Sequence, residues 1–126
     1  MSSRVLLCER NPLLARILTQ FFASERIGVR ECDSLEDIES ALIEHPDAVV
    51  IADSWTDFRH GDLTASERDA IKRLAQRTTV VMTTGRSWAY KAPELDLGPR
   101  VSVILKPYDL EQLLDAVRAG IQPTPA

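Results

Sequence analysis

A chain of 126 residues with 44% hydrophobic and 27% charged residues suits one domain with its own core, a balance that excludes disorder, collagen-like repeats and coiled coil. A net charge of -4, with its basic residues scattered and not striped along one helix, gives no electrostatic footprint for nucleic acid. The apolar runs fall far short of the ~20 residues that span a bilayer, and Met1 to Asn11 lacks the apolar centre of a signal peptide, so the expected location is the cytoplasm.

Arg4 to Cys8 is an apolar run read as a first strand. Asn11-Pro12 opens a helix with an N-cap and a proline at the first helical position, and Leu13, Leu14, Ile17, Leu18, Phe21 and Phe22 follow at helical spacing. After Gly28, Val29 to Cys32 forms a short strand with charges between its apolar residues, as suits a sheet edge. Ser34 to Asp37 resembles a capping box with Asp in the usual Glu place, and Leu35, Ile38, Ala41 and Leu42 give that helix its apolar stripe up to Pro46. Val49-Val50-Ile51-Ala52 has no alternation and reads as a strand covered on both faces. It stops on a carboxylate, Asp53.

Ser54 to Leu63 reads as a loop. Thr64 to Glu67 is a capping box before a helix with Ala70, Ile71, Leu74 and Ala75 on its apolar side. Thr79 to Thr83 is a β-branched strand running into Thr84-Gly85. From Arg86 to Arg100, Pro93, Gly98 and Pro99 allow a short helix around Ser87 to Lys91 and then irregular chain. Val101 to Leu105 is a fifth strand, Lys106-Pro107 closes it, and Asp109 with Gln112 caps a last helix carrying Leu110, Leu113, Leu114, Val117 and Ile121. Residues 1–121 form one domain in this reading, and Gln122 to Ala126 is a proline-rich tail or the start of a linker. Cys8 and Cys32 sit in apolar runs as small hydrophobes. His45 and His60 have no ligand spacing.

Five alternations of strand and helix with short connections predict βαβ units and a parallel sheet with helices on both faces. All strands of such a sheet end on one edge, where ligands bind. Glu9, Arg10, Asp53, Thr84 and Lys106 therefore converge on one rim.

These residues resemble the receiver domain of bacterial response regulators. The likeness covers essentially the whole chain, through the Arg4 to Leu14 opening, the strand ending in Asp53 with Gly61 in the loop beyond, Thr84-Gly85, and Lys106-Pro107-Tyr108-Asp109-Leu110 before the final helix. The resemblance implies a flavodoxin-like, doubly wound α/β fold with strand order 2-1-3-4-5. It also implies transfer of a phosphoryl group from a histidine kinase or phosphotransfer protein onto Asp53, with Lys106 and Thr84 contacting the phosphoryl oxygens. In such domains an acidic pair after the first strand helps to hold Mg²⁺. Glu9 fits the first acid and would join Asp53 as a metal ligand, but Arg10 replaces the second, a change of two charge units that opposes ordinary Mg²⁺ binding. Asp57 stands where proline is common, and Val103 stands where an aromatic often moves with the hydroxyl. Arg10 is therefore expected to span to Asp53 or Glu9 and partly substitute for the metal.

The implied output is a downstream effector protein, or a second copy of the chain, on a face including Trp88, Tyr90, Tyr108, Leu110 and Gln112. Trp55, Trp88 and Tyr90 either fold back as a local cap or mark that face. Other readings stay open: Asp53 as the cap of a turn, Lys106 or Arg10 as solvated surface residues, and a pseudo-receiver that scaffolds without phosphorylation. An enzyme on the same architecture lacks support from GxGxxG or GxxxxGK[ST], and Asp53-Ser54-Trp55 lacks the second acid of an aspartate phosphatase. The expectation is a signalling module and not an enzyme.

Overall fold

The computed structural model describes residues 4–53 and 63–121. Its strands are β1 (Val5–Cys8), β2 (Val29–Glu31), β3 (Val49–Ala52), β4 (Val80–Thr84) and β5 (Val101–Leu105), and its α-helices are α1 (Pro12–Ser24), α2 (Leu35–Glu44), α3 (Ala65–Ala75) and α4 (Leu110–Ile121). All pairings are parallel, in the order β2-β1-β3-β4-β5, the flavodoxin-like order expected.

The three inner strands are buried at every position, whereas the edge strands β2 and β5 are only partly covered. Alternate strand residues feed two separate cores. Leu6, Val50, Ala52, Val80 and Met82 pack with Ile38, Leu42, Ile71 and Leu74 from α2 and α3. Val5, Leu7, Val49, Ile51 and Val81 pack with Leu18, Phe22, Leu113, Leu114 and Val117 from α1 and α4.

Helix starts follow local chemistry. The Asn11 side chain accepts from the amides of Leu13 and Leu14, with Pro12 at the first position of α1. Thr64 and Glu67 close a full capping box on α3. At α2, Ser34 accepts from the Asp37 amide as expected, but the shorter Asp37 carboxylate bonds the amide of Asp33 and the guanidinium of Arg30. α1 ends with Arg26 at positive φ, the Arg26 amide donating to Ala23 and the Ile27 amide to Phe22, which is a Schellman ending.

The segment after β4 departs from expectation. Instead of a short helix and irregular chain, Ser87–Leu95 is a nine-residue 3-10 helix with Pro93 inside it. With three residues per turn, Ala89, Ala92 and Leu95 fall on one side, and all three are at least partly buried. Trp88 and Leu97 enter the α2/α3 core. This burial outweighs the proline as a breaker. Thr84 is the last residue of β4 and not the first beyond it. Trp55, Asp57, His60 and Gly61, most of the loop assigned to Ser54 to Leu63, and the tail from Gln122 lie outside the described residues.

Candidate functional site

Strand register brings the site together. Cys8 is opposite Ala52, Ala52 opposite Met82, and Thr84 opposite Leu105. The Asp53 amide donates to the Cys8 carbonyl at 2.9 Å, and the Lys106 amide donates to the Thr84 carbonyl at 2.9 Å. Glu9, Asp53, Thr84 and Lys106 are thereby held on one rim by backbone bonds, as the sequence predicts. The Lys106-Pro107 peptide is cis.

At its centre Lys106 Nζ lies 2.8 Å from Glu9 Oε1 and 3.5 Å from Asp53 Oδ1. The Glu9 side chain is 1% exposed, and its other oxygen accepts from the Asn11 amide at 2.9 Å. A carboxylate so buried needs such partners, because an unpaired one would be strongly penalised. Burial pushes the Asp53 carboxyl above its ordinary range; the Lys106 ammonium opposes this, the Glu9 charge adds to it, and Arg10 pulls it down by a smaller effect. Lys106 thus bridges Glu9 and Asp53, and the charge of Arg10 also bears on Asp53.

Thr84 is fully buried, and its Oγ1 accepts from the Arg86 amide at 3.0 Å. Arg86 in turn forks onto Glu67, Nη1 at 2.8 Å from Oε2 and Nη2 at 3.3 Å from Oε1. Sequence reading missed this pair. It took Glu67 only as a capping residue, and the one available signal was a charged residue placed directly after Thr84-Gly85 at the end of a buried strand. Burial raises the Glu67 carboxyl, but the hydrogen bonds from Arg86 and the Thr64 amide outweigh it and hold the group below its usual value.

Of the residues assigned to the output face, Trp88 is corrected. It is 2% exposed and part of the α2/α3 core, because the tight 3-10 turn directs the indole onto the sheet. Tyr90 is exposed, Gln112 is exposed, and Leu110 is half-buried. Tyr108 is half-buried and its hydroxyl has no hydrogen-bond partner among the described residues. Burial, with the charges of Glu9 and Asp53, pushes its phenol up to about 12. Tyr108 therefore belongs beside the acids as much as to an outer face. A cleft of about 380 Å³ lies there, lined by Leu14, Lys106, Pro107, Tyr108 and Leu110, and exposed Leu13 and Ile17 belong to the neighbouring helix α1.

Among the described residues the donor set does not fit a Mg²⁺ ion. Hard divalent cations need several oxygen ligands, yet both Glu9 oxygens are engaged by protein donors and Arg10 occupies the place of a second acid. No group of three or more His, Cys, Asp or Glu side chains among the described residues is arranged to hold a metal. No helix among them is long and apolar enough to cross a membrane.

No protein-family model and no curated protein matches the chain. Solved structures do. An adenylate cyclase from Rhodopirellula baltica aligns with TM-score 0.70 at 19% identity, over 96% of this chain and 88% of that one. The signal receiver domain of a putative LuxO repressor protein from Vibrio parahaemolyticus aligns with TM-score 0.69 at 20% identity, over 96% and 91%. The non-phosphorylated HemR receiver domain from Leptospira biflexa gives TM-score 0.69 at 19% identity, over 98% of each chain. Five parallel strands in the order β2-β1-β3-β4-β5, matched over nearly the whole length by such structures, give this chain the fold of response-regulator receiver domains.

Proposed function

We propose that the chain is a response-regulator receiver module in a phosphorelay that accepts a phosphoryl group on Asp53, weakly, and signals through protein contacts. The observation that supports this most is Lys106 Nζ held between Glu9 and Asp53 at the strand tips. In the step, an Asp53 oxygen forms a bond to phosphorus as the phosphorus–nitrogen bond of a phosphohistidine donor breaks, and the freed imidazole nitrogen takes a proton. Such transfer depends mainly on position and charge neutralisation. Lys106 offers an ammonium to a phosphoryl oxygen, and Thr84 Oγ1 has a proton to donate. Leu13 and Ile17, beside the cleft at Leu14 and Leu110, offer an apolar seat for a histidine kinase or phosphotransfer protein. Tyr90, Tyr108, Leu110 and Gln112 are the proposed contacts for an effector or a second copy.

Weak acceptance follows from Arg10 and from Lys106 already neutralising the acids. Incubation with Mg²⁺ and a small phosphodonor, followed by mass spectrometry, is expected to label Asp53 slowly. Label should be absent in Asp53→Asn, and should form at least tenfold faster in Arg10→Asp, which restores the acidic pair; tenfold corresponds to about 1.4 kcal/mol in the barrier. Rapid, stoichiometric labelling of the unmodified chain would overturn the weak-acceptor reading. The internal neutralisation of Glu9 and Asp53 also favours a second reading, a scaffold independent of phosphorylation. Unchanged partner binding in Asp53→Asn, with no label in the unmodified chain, would select it.

A further inference from the structure

Phosphoryl acceptance at the rim makes no use of the buried ion pair behind it. Thr84 Oγ1 accepts from the Arg86 amide, and Arg86 is the N-cap residue of the 3-10 helix. The Arg86 guanidinium grips Glu67 at two points, with side chains 15% and 6% exposed. Glu67 Oε1 also accepts from the Thr64 amide at 3.1 Å, while Thr64 Oγ1 accepts from the Glu67 amide at 3.1 Å. One continuous chain of hydrogen bonds therefore joins the end of β4, the start of the 3-10 helix and the start of α3. A bidentate guanidinium–carboxylate pair fixes orientation as well as distance, so neither end can turn without disturbing the other. The side chains of Val101 and Val103 on β5 pack against the α2/α3 core.

We propose that Arg86 and Glu67 are a positioning pair that sets the Thr84 turn and carries its displacement to the N-terminus of α3 and to the 3-10 helix bearing exposed Tyr90. The use of this coupling in signalling rests on the reading of Asp53 as phosphoryl acceptor; the coupling itself belongs to the unmodified chain. Thr84 is thus the input end, and the first turn of α3 is an output end outside the face formed around β5 and α4.

Residue-resolved hydrogen exchange on the full chain tests it, with the amides of Thr64, Glu67, Arg68, Arg86 and Ala89 as reporters and those of β1 and β3 as controls. Thr84→Val removes the acceptor of the Arg86 amide at nearly constant volume. It is expected to speed exchange at Arg86 and, across the pair, at Thr64 and Glu67, each by roughly tenfold. Arg86→Met should do the same, and the double variant should add little, because both changes cut one chain of bonds. Arg86→Lys should recover part of the protection. Glu67→Gln retains a carbonyl for the capping bond yet should loosen Arg86 and Ala89. The relay is overturned if Thr84→Val leaves Thr64 and Glu67 unchanged, if the two single effects multiply independently, or if β1 and β3 accelerate equally. No modification of Asp53 enters this experiment, so failure to label Asp53 would sink the acceptor reading alone, and a failed cycle would sink the relay alone.

Discussion

Two carboxylates near the rim respond to pH with opposite signs. Asp53 has a native pKa above the ordinary value of 3.8, burial being the main cause. As pH rises through that window the unfolded chain gives up its proton first, so the contribution of Asp53 to stability falls. Asp53→Asn is therefore expected to stabilise the protein at neutral pH, with the gain vanishing as the medium is acidified below 3.8. Glu67 lies below its ordinary 4.5: burial raises it, and the bonds from Arg86 and Thr64 more than offset that. Its contribution is present above 4.5 and is lost as pH falls through the native pKa. Glu67→Gln should cost on the order of 2 kcal/mol at neutral pH, because it removes the charge that Arg86 forks onto, and the difference from the parent should narrow in acid. Urea titrations of the three proteins across pH check both signs. Agreement in sign between the two variants would contradict the environments described for these groups. The place of Asp53 beside Lys106 was legible because it directly follows a buried strand, whereas the Arg86–Glu67 bond joins two elements whose approach no local pattern encodes.

Helix α4 lies so close to the sheet that Gly120 is required by contact and not by backbone shape. A Cβ there would stand 2.9 Å from Val49 Cγ2 and 3.0 Å from Thr79 Cβ. Both are β-branched side chains with little freedom to move aside. Gly120→Ala would gain about 1 kcal/mol in helix propensity, but overpacking of this kind costs about 1–3 kcal/mol. The expected net result is a loss of about 1 kcal/mol, read as a lower urea midpoint with unchanged slope; a gain would show that α4 can lift away freely. Starts of elements were the most readable part of the sequence. Asn11-Pro12, Ser34 and Thr64 announce helices through bonds made within three residues of themselves. The 3-10 helix was readable only in its first part, Ser87 to Lys91, since Pro93 argues against its continuation and the burial of Trp88, Ala89 and Leu97 is not encoded in any local pattern.

For the molecule as a whole, the alternation of strands and helices carried the topology, and the strand tips carried the rim. What stayed hidden depends on which layer a side chain enters, as with Trp88. Cys8 and Cys32 report on the integrity of the entire assembly. Burial pushes their thiols up to about 11 and about 12, with the Asp53 charge adding to the effect at Cys8 and that of Asp37 at Cys32. Only the thiolate reacts with an alkylating agent. Modification of the native protein is expected to proceed no faster than global opening and to follow urea in parallel with unfolding; fast labelling of either thiol without urea would reveal a local breach in the sheet. The two apolar cores lie on opposite sides of that sheet, which makes it a bulkhead. Among the described residues, α1 and α4 pack against one set of strand side chains and α2 and α3 against the alternate set. At the rim Lys106, at the head of the connection into α4, grips acids that follow β1 and β3. Whatever loosens that grip speaks to both compartments at once.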